Sequence, residues 1–96
     1  MVASAKIAIL VPAHNEEEVI DRSLARAVEE AGRENVYLAA DACTDRTVRF
    51  ASYWIGSKHV HEVERSGKGP GVMKAIRPLG LLERHDGVFM ADATVS

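Results

Sequence analysis

Short apolar runs alternate with helix-period segments along this chain, and this alternation limits its possible folds more than any other feature. The first run, residues 6–12, is continuously apolar after Lys6 and ends in a proline. Runs of this kind are typical of strands that are buried on both faces of a parallel sheet. Residues 36–40 form a second such run, and residues 60–64 and 88–91 predict a shorter third and fourth strand.

Segments with helical spacing of apolar residues lie between the strands. Asn15, with Glu18 three residues later, predicts an N-cap and a capping box at the start of the first helix. Thr44 or Asp45 is expected to cap the second helix, and Pro78 is expected to interrupt the third. The glycines expected to end the first and second helices are Gly32 and Gly56.

The resulting element order is βαβαβαβ, which favours an α/β fold with right-handed crossovers. We expect four parallel strands in the order 3-2-1-4, with helices on both faces of the sheet. No segment after the fourth strand is available to cover it. Residues 1–96 are therefore expected to form a single domain that is the first half of a larger one.

Composition excludes several classes of protein. Twelve Lys and Arg against fourteen Asp and Glu give a net charge of −2, so the chain has no general attraction for nucleic acid or anionic lipid. No stretch approaches the roughly 18 apolar residues of a membrane span. The single cysteine, Cys43, allows no internal disulfide and is interpreted as a small buried residue, which favours the cytoplasm. His59, His61 and His85 are interpreted as surface residues.

Polar residues follow each predicted strand. In open parallel sheets, ligands bind beyond the carboxyl ends of the strands. The pattern predicts a nucleotide site, in which carboxylates meet a base or ribose, a glycine-rich loop meets phosphate and an aspartate holds a metal. Purely structural roles are the alternative to ligand binding: Asn15, Glu16 and Asp45 can cap helices, and Asp41 can begin an Asx turn. The polar residues in question are His14, Asn15, Glu16, Asp41, Asp45, Gly67, Lys68, Gly69 and Asp92.

Four motifs carry a more specific signal. ILVPAHNE at residues 9–16 resembles the VIPAYNE opening of family-2 glycosyltransferases of the GT-A fold. ADACTDRT at residues 40–47 resembles their DDGSTDGT motif, and GKGPG at residues 67–71 is similar to their GKGxA loop. VFMADAT at residues 88–94 stands where they carry FLDADT. The motifs occur in the family's order and extend over nearly the whole chain.

The resemblance implies a Rossmann-like half-domain that binds a nucleotide-diphosphate sugar, whose sugar is transferred to an unknown hydroxyl acceptor. Pro12, His14 and Glu16 match positions that line the nucleotide. His14 stands where the family often has a tyrosine against the base, and an imidazole can also stack there. Asp41 matches the aspartate that contacts the base, and Lys68 matches the lysine of the glycine-rich loop.

The last motif departs from the family pattern. Its Asp-x-Asp carboxylates hold a divalent metal, whereas this chain has Ala91, Asp92 and Ala93 there. The resemblance thus implies a site for Mg²⁺ or Mn²⁺ with Asp92 as the one remaining carboxylate, and weaker metal binding. No residue is assigned as the catalytic base, because the family carries that base after this strand.

Two further expectations follow from the end of the chain. A non-catalytic nucleotide-binding or assembly module is the alternative to an enzyme part, since the acceptor half and a full Asp-x-Asp motif are missing. The uncovered fourth strand also carries Val88, Phe89 and Met90. An exposed strand edge and an apolar face promote association, so we expect the chain to self-associate through this edge.

Overall fold

A computed structural model describes residues 6–63 and 75–91, and the described strands form one parallel sheet. The sheet has four strands in the order β3-β2-β1-β4. This topology confirms the predicted α/β class and strand order of a Rossmann-like GT-A half-domain. The strands are β1 (Ile7–Ala13), β2 (Val36–Asp41), β3 (Val60–Val63) and β4 (Gly87–Met90).

Helical segments connect the strands. The glycines after the first two helices have φ angles of 89° at Gly32 and 82° at Gly56, which confirms both predicted helix ends. A single 3₁₀ turn precedes each of β2 and β3. None of the helices in the described ranges is long and apolar enough to cross a bilayer. The helices are α1 (Ile20–Ala31), α2 (Thr47–Ile55) and α3 (Leu81–Arg84).

Hydrophobic cores lie on both faces of the sheet, as predicted. All six residues of β2 are buried, which explains why the first five are apolar without alternation. One core joins alternate residues of β1 and β2 to α1 and α2, and it contains Val11, Ala13, Ile20, Leu24, Val36, Leu38, Ala40, Ala51 and Ile55. The other core contains Ala8, Leu10, Tyr37, Ala39, Ala75, Leu79 and Leu81.

The helical segment after β3 is interrupted, as the sequence predicts, but the break lies at Gly80. Residues 75–79 are helical, Gly80 has a φ of 65°, and α3 begins at the next residue. The Gly80 N–H donates to the carbonyl of Arg77 at 2.9 Å, and the Arg84 guanidinium donates to the carbonyl of Leu79. Glycine reaches this left-handed conformation without a Cβ clash, so the break falls on it.

The predicted N-cap of the first helix is wrong. α1 begins at Ile20, and Val19 rather than Asn15 occupies its N-cap position. Asn15 instead adopts a left-handed φ of 49°, a region that Asn tolerates better than most residues. Its side-chain oxygen accepts hydrogen bonds from a loop 29 residues further along the chain. A long-range interaction has therefore replaced the local capping box.

The interpretation of His85 as a surface residue is also wrong, since only 8% of it is exposed. Its Nδ1 lies 3.2 Å from the carbonyl of Leu81, and its Nε2 lies 3.0 Å from the Asn35 Oδ1. Its ring meets the edge of the buried Tyr37 ring, on which the half-buried His59 stacks at 4.1 Å. The two histidines pack around Tyr37 because an imidazole offers both a flat apolar surface and polar nitrogens.

Candidate nucleotide-binding edge

Four of the predicted site residues lie at one edge of the sheet, where the parallel strands β1 and β2 end. Pro12 is half-buried in β1 and stands in register with Ala39 of β2. His14 and Glu16 follow β1 directly, and Asp41 is the last residue of β2. The predicted position of these residues beyond the strand ends is therefore observed for both neighbouring strands.

Asp41 is a nearly buried carboxylate at this edge. Only 8% of the residue is exposed. Strand alternation gives it the same face as Tyr37 and Ala39, opposite the face that packs against α1 and α2. Burying a carboxylate costs free energy unless the group is paired or binds a ligand. The burial of Asp41 at the end of β2 therefore indicates a specific structural or ligand-binding role.

The ring of His14 is held against the end of β2. Its Nδ1 lies 2.6 Å from the backbone carbonyl of Asp41. A carbonyl only accepts, so Nδ1 is the donor and carries a hydrogen in this arrangement. The residue is otherwise exposed, so its ring remains accessible to a ligand. This one hydrogen bond fixes both the orientation of the ring and the nitrogen available to a ligand.

The loop after β1 is joined to the loop after β2 by hydrogen bonds. The Asn15 Oδ1 accepts from the backbone N–H of Thr44 at 2.8 Å and of Asp45 at 3.3 Å. The Glu16 N–H donates to the Oγ1 of the fully buried Thr47 at 2.8 Å. These bonds connect residues that are 29 to 31 positions apart in the chain, and they hold the flanks of the edge in one arrangement.

Asp45 is the centre of this network. Its Oδ1 accepts from the Thr47 N–H at 2.9 Å and from the Thr47 hydroxyl at 2.6 Å, while its Oδ2 accepts from the Glu17 N–H at 3.2 Å. Burial by itself raises the pKa of Asp45, but these donors favour the ionised form and hold the pKa below its ordinary value of 3.8. The N-cap position of α2 belongs to Arg46 and has no side-chain cap hydrogen bond, so the prediction that Thr44 or Asp45 caps this helix is wrong, although Asp45 binds the N–H of the first helical residue.

Three polar groups close to the network have different surroundings. The Glu16 Oε2 is buried and has no hydrogen-bond partner among the described residues, whereas the Glu17 Oε1 accepts from the Arg46 N–H at 2.8 Å. The half-buried Cys43 thiol donates weakly to the Ala13 carbonyl at 3.5 Å. Burial raises the pKa of Cys43, so it remains a thiol at neutral pH and packs against the α1–α2 core.

The predicted phosphate and metal residues, Lys68 and Asp92, lie outside the described residues. Within residues 6–63 and 75–91, no group of three His, Cys, Asp or Glu side chains is arranged to hold a metal ion.

Two residues, Ala42 and Thr47, shape the edge but were not predicted to do so. Ala42 follows Asp41 with a left-handed φ of 50°, a conformation that turns the chain away from β2. Its position matches the glycine of the family's second motif, and this match is the signal that points to the positive φ. Thr47 matches the final threonine of the same motif, and this match is the signal that could have identified it.

The geometry agrees with a comparison to known families. The model of glycosyl transferase family 2 matches residues 8–78, which include β2, β3, all but the first residue of β1 and the loops of the candidate edge. No curated protein and no solved structure matches the chain significantly. The family match extends over more than half of the 96 residues. The chain therefore belongs to glycosyl transferase family 2.

Proposed function

We propose that this chain forms the donor-binding part of a glycosyltransferase that transfers a sugar from a nucleotide-diphosphate sugar to a hydroxyl acceptor. Family membership supports the reaction class. The observation that carries the proposal for this chain is the nearly buried Asp41 at the end of β2, with the His14 ring hydrogen-bonded to its carbonyl. Together they offer a carboxylate and a flat ring to one ligand.

In this proposal Asp41 accepts a hydrogen bond from an N–H of the nucleotide base. A carboxylate that accepts from a base N–H forms a charge-assisted bond, which is stronger than a neutral one. His14 provides the ring surface on which the base stacks, and Pro12 and Glu16 line the same space. Because the two loops are held together before ligand arrives, little ordering is required on binding.

Calorimetric titration of the chain with uridine, guanosine and adenosine diphosphates tests this proposal. The Asp41→Ala substitution should weaken binding of the preferred diphosphate by about 1–3 kcal/mol, which is the cost of losing a hydrogen bond to a charged group. The matched control is Asp86→Ala. This variant removes an exposed aspartate at the other end of the strands, before β4, where it accepts a hydrogen bond from the Lys6 N–H. Equal affinity of the wild type and a folded Asp41→Ala variant would reject the assignment.

We propose Asp92 as the carboxylate that holds Mg²⁺ or Mn²⁺ against the donor diphosphate. Members of this family generally depend on a divalent metal. One carboxylate with substrate phosphates can hold such a cation, although less tightly than two. Mn²⁺ should therefore tighten binding of the diphosphate in the wild type but not in Asp92→Asn. The same affinity with Mn²⁺ and with a chelator would exclude Asp92 as a ligand.

The enzymatic interpretation and the alternative of a non-catalytic module differ in turnover. A donor-binding part of an enzyme should hydrolyse or transfer the sugar of its donor once an acceptor region is supplied, whereas a module should bind and release it unchanged.

The single cysteine favours a reducing compartment, so the cytoplasm is the proposed location.

A further inference from the structure

The side chains at the candidate nucleotide-binding edge offer hydrogen-bond acceptors to a ligand. Asp41 is a carboxylate of which only 8% is exposed, and an ionised carboxylate accepts without donating. The Glu16 Oε2 is a buried acceptor, and no donor reaches it within residues 6–63 and 75–91. The His14 Nδ1 donates to the Asp41 carbonyl, so the other nitrogen of the neutral ring is an acceptor as well.

Several backbone donors around this edge are already used inside the protein. A backbone N–H carries a single hydrogen, so a group that donates to a protein oxygen is not available to a carbonyl oxygen of a ligand. These donors are the N–H groups of Glu16, Glu17, Ala42, Thr44 and Asp45, and their acceptors are the side chains of Thr47, Asp45 and Asn15 and the carbonyl of Val63.

The common nucleotide bases differ in the donors that they present to a carboxylate. Guanine carries N1–H and the N2 amino group side by side, so it can donate to both oxygens of one carboxylate. Uracil carries a single N3–H between two carbonyl oxygens. Adenine and cytosine each carry an amino group next to an acceptor nitrogen. Two parallel charge-assisted bonds therefore form only with guanine.

We propose that this edge selects guanosine-diphosphate donors, with Asp41 accepting from N1–H and from the N2 amino group of one guanine. The inference rests on the proposed function, in which Asp41 meets the base. A uracil in the same position places two carbonyl oxygens beside the carboxylate oxygens. Acceptors that face each other without a donor cost free energy, so the edge disfavours uracil as well as favouring guanine.

Calorimetric titration of the wild-type chain with guanosine, inosine and uridine diphosphates tests this selectivity. Inosine diphosphate differs from guanosine diphosphate only in lacking the N2 amino group. It should bind about tenfold or more weakly, because one bond to the carboxylate is lost, and uridine diphosphate should bind at least tenfold more weakly too. Equal affinity for guanosine and inosine diphosphates, or a preference for uridine diphosphate, overturns the selectivity but leaves the proposed function standing. A chain that binds none of the three rejects both.

The Asp41→Asn variant tests the paired bonds directly. Its amide keeps one acceptor and replaces the other by a donor, which matches xanthine, whose N1–H lies beside a carbonyl oxygen. The preference for guanosine over xanthosine diphosphate should therefore reverse, by about tenfold or more. Asp86→Asn is the matched control, since Asp86 is an exposed aspartate before β4, and it should keep the wild-type preference. Circular dichroism establishes that both variants are folded. A folded Asp41→Asn variant that still prefers guanosine diphosphate, or that weakens both nucleotides equally, contradicts the proposal.

Discussion

At the scale of the residue, Ala42 has a backbone conformation that costs free energy and that a substitution by glycine can relieve. Its φ of 50° lies in the left-handed region, which costs an L-residue with a Cβ roughly 1–2 kcal/mol. Ala42→Gly should remove this cost while making the unfolded chain more flexible. We therefore expect a net gain of about 0.5–1 kcal/mol in the free energy of unfolding, measured by urea denaturation.

A second alanine provides the comparison for this prediction. Ala25 lies in the middle of α1, where the backbone is helical. Ala25→Gly should lower the free energy of unfolding by about 0.5–1 kcal/mol, because glycine is a poor helix former. If both substitutions destabilise the chain equally, Ala42 does not have the left-handed backbone described above.

At the scale of the element, Asp45 connects the start of α2 to the loop that precedes α1. Its pKa in the folded chain is below the ordinary value of 3.8, so the folded state binds the proton less readily than the unfolded state. The stabilising contribution of Asp45 is therefore complete above the unfolded pKa, and it is lost as pH falls through the lower folded pKa. The wild type should lose stability below about pH 4.

Asp45→Asn isolates this contribution from that of the other carboxylates. The variant should be less stable than the wild type at pH 7, because an amide NH₂ cannot accept from the Glu17 N–H. The difference in unfolding free energy between the two proteins should shrink as pH falls toward 3. A difference that is constant from pH 7 to pH 3 would mean that the ionised form of Asp45 does not stabilise the fold.

At the scale of the whole molecule, stability should decrease from the centre of the sheet toward β4. β2 has a strand on each side and is buried throughout, whereas Phe89 and Met90 of β4 are exposed. The Ala91 N–H faces β1, so by strand alternation the N–H groups of Val88 and Met90 face away from it. Among the strand amides, exchange should be slowest in β2 and fastest at Val88 and Met90. Exchange at those two amides that is as slow as in β2 would contradict this gradient.

The sequence by itself determined the strands, the two glycine helix ends and the strand order. These features depend on local rules: apolar runs identify buried strands, glycine ends helices, and the handedness of crossovers restricts how four parallel strands can be ordered. The motifs also identified the residues at the ends of β1 and β2. The functions of Pro12, His14, Glu16 and Asp41 remain predictions, because they depend on a ligand.

Only the tertiary structure decided how the edge is held together. Asn15 has a local partner in the sequence pattern, but its side chain binds the loop after β2, 29 residues away at Thr44. His85 looks like a polar turn residue, yet it is buried against Tyr37 and Asn35. Sequence spacing describes which residues are neighbours along an element. It does not describe which polar groups meet when two elements pack, because buried donors and acceptors take the nearest partner in space.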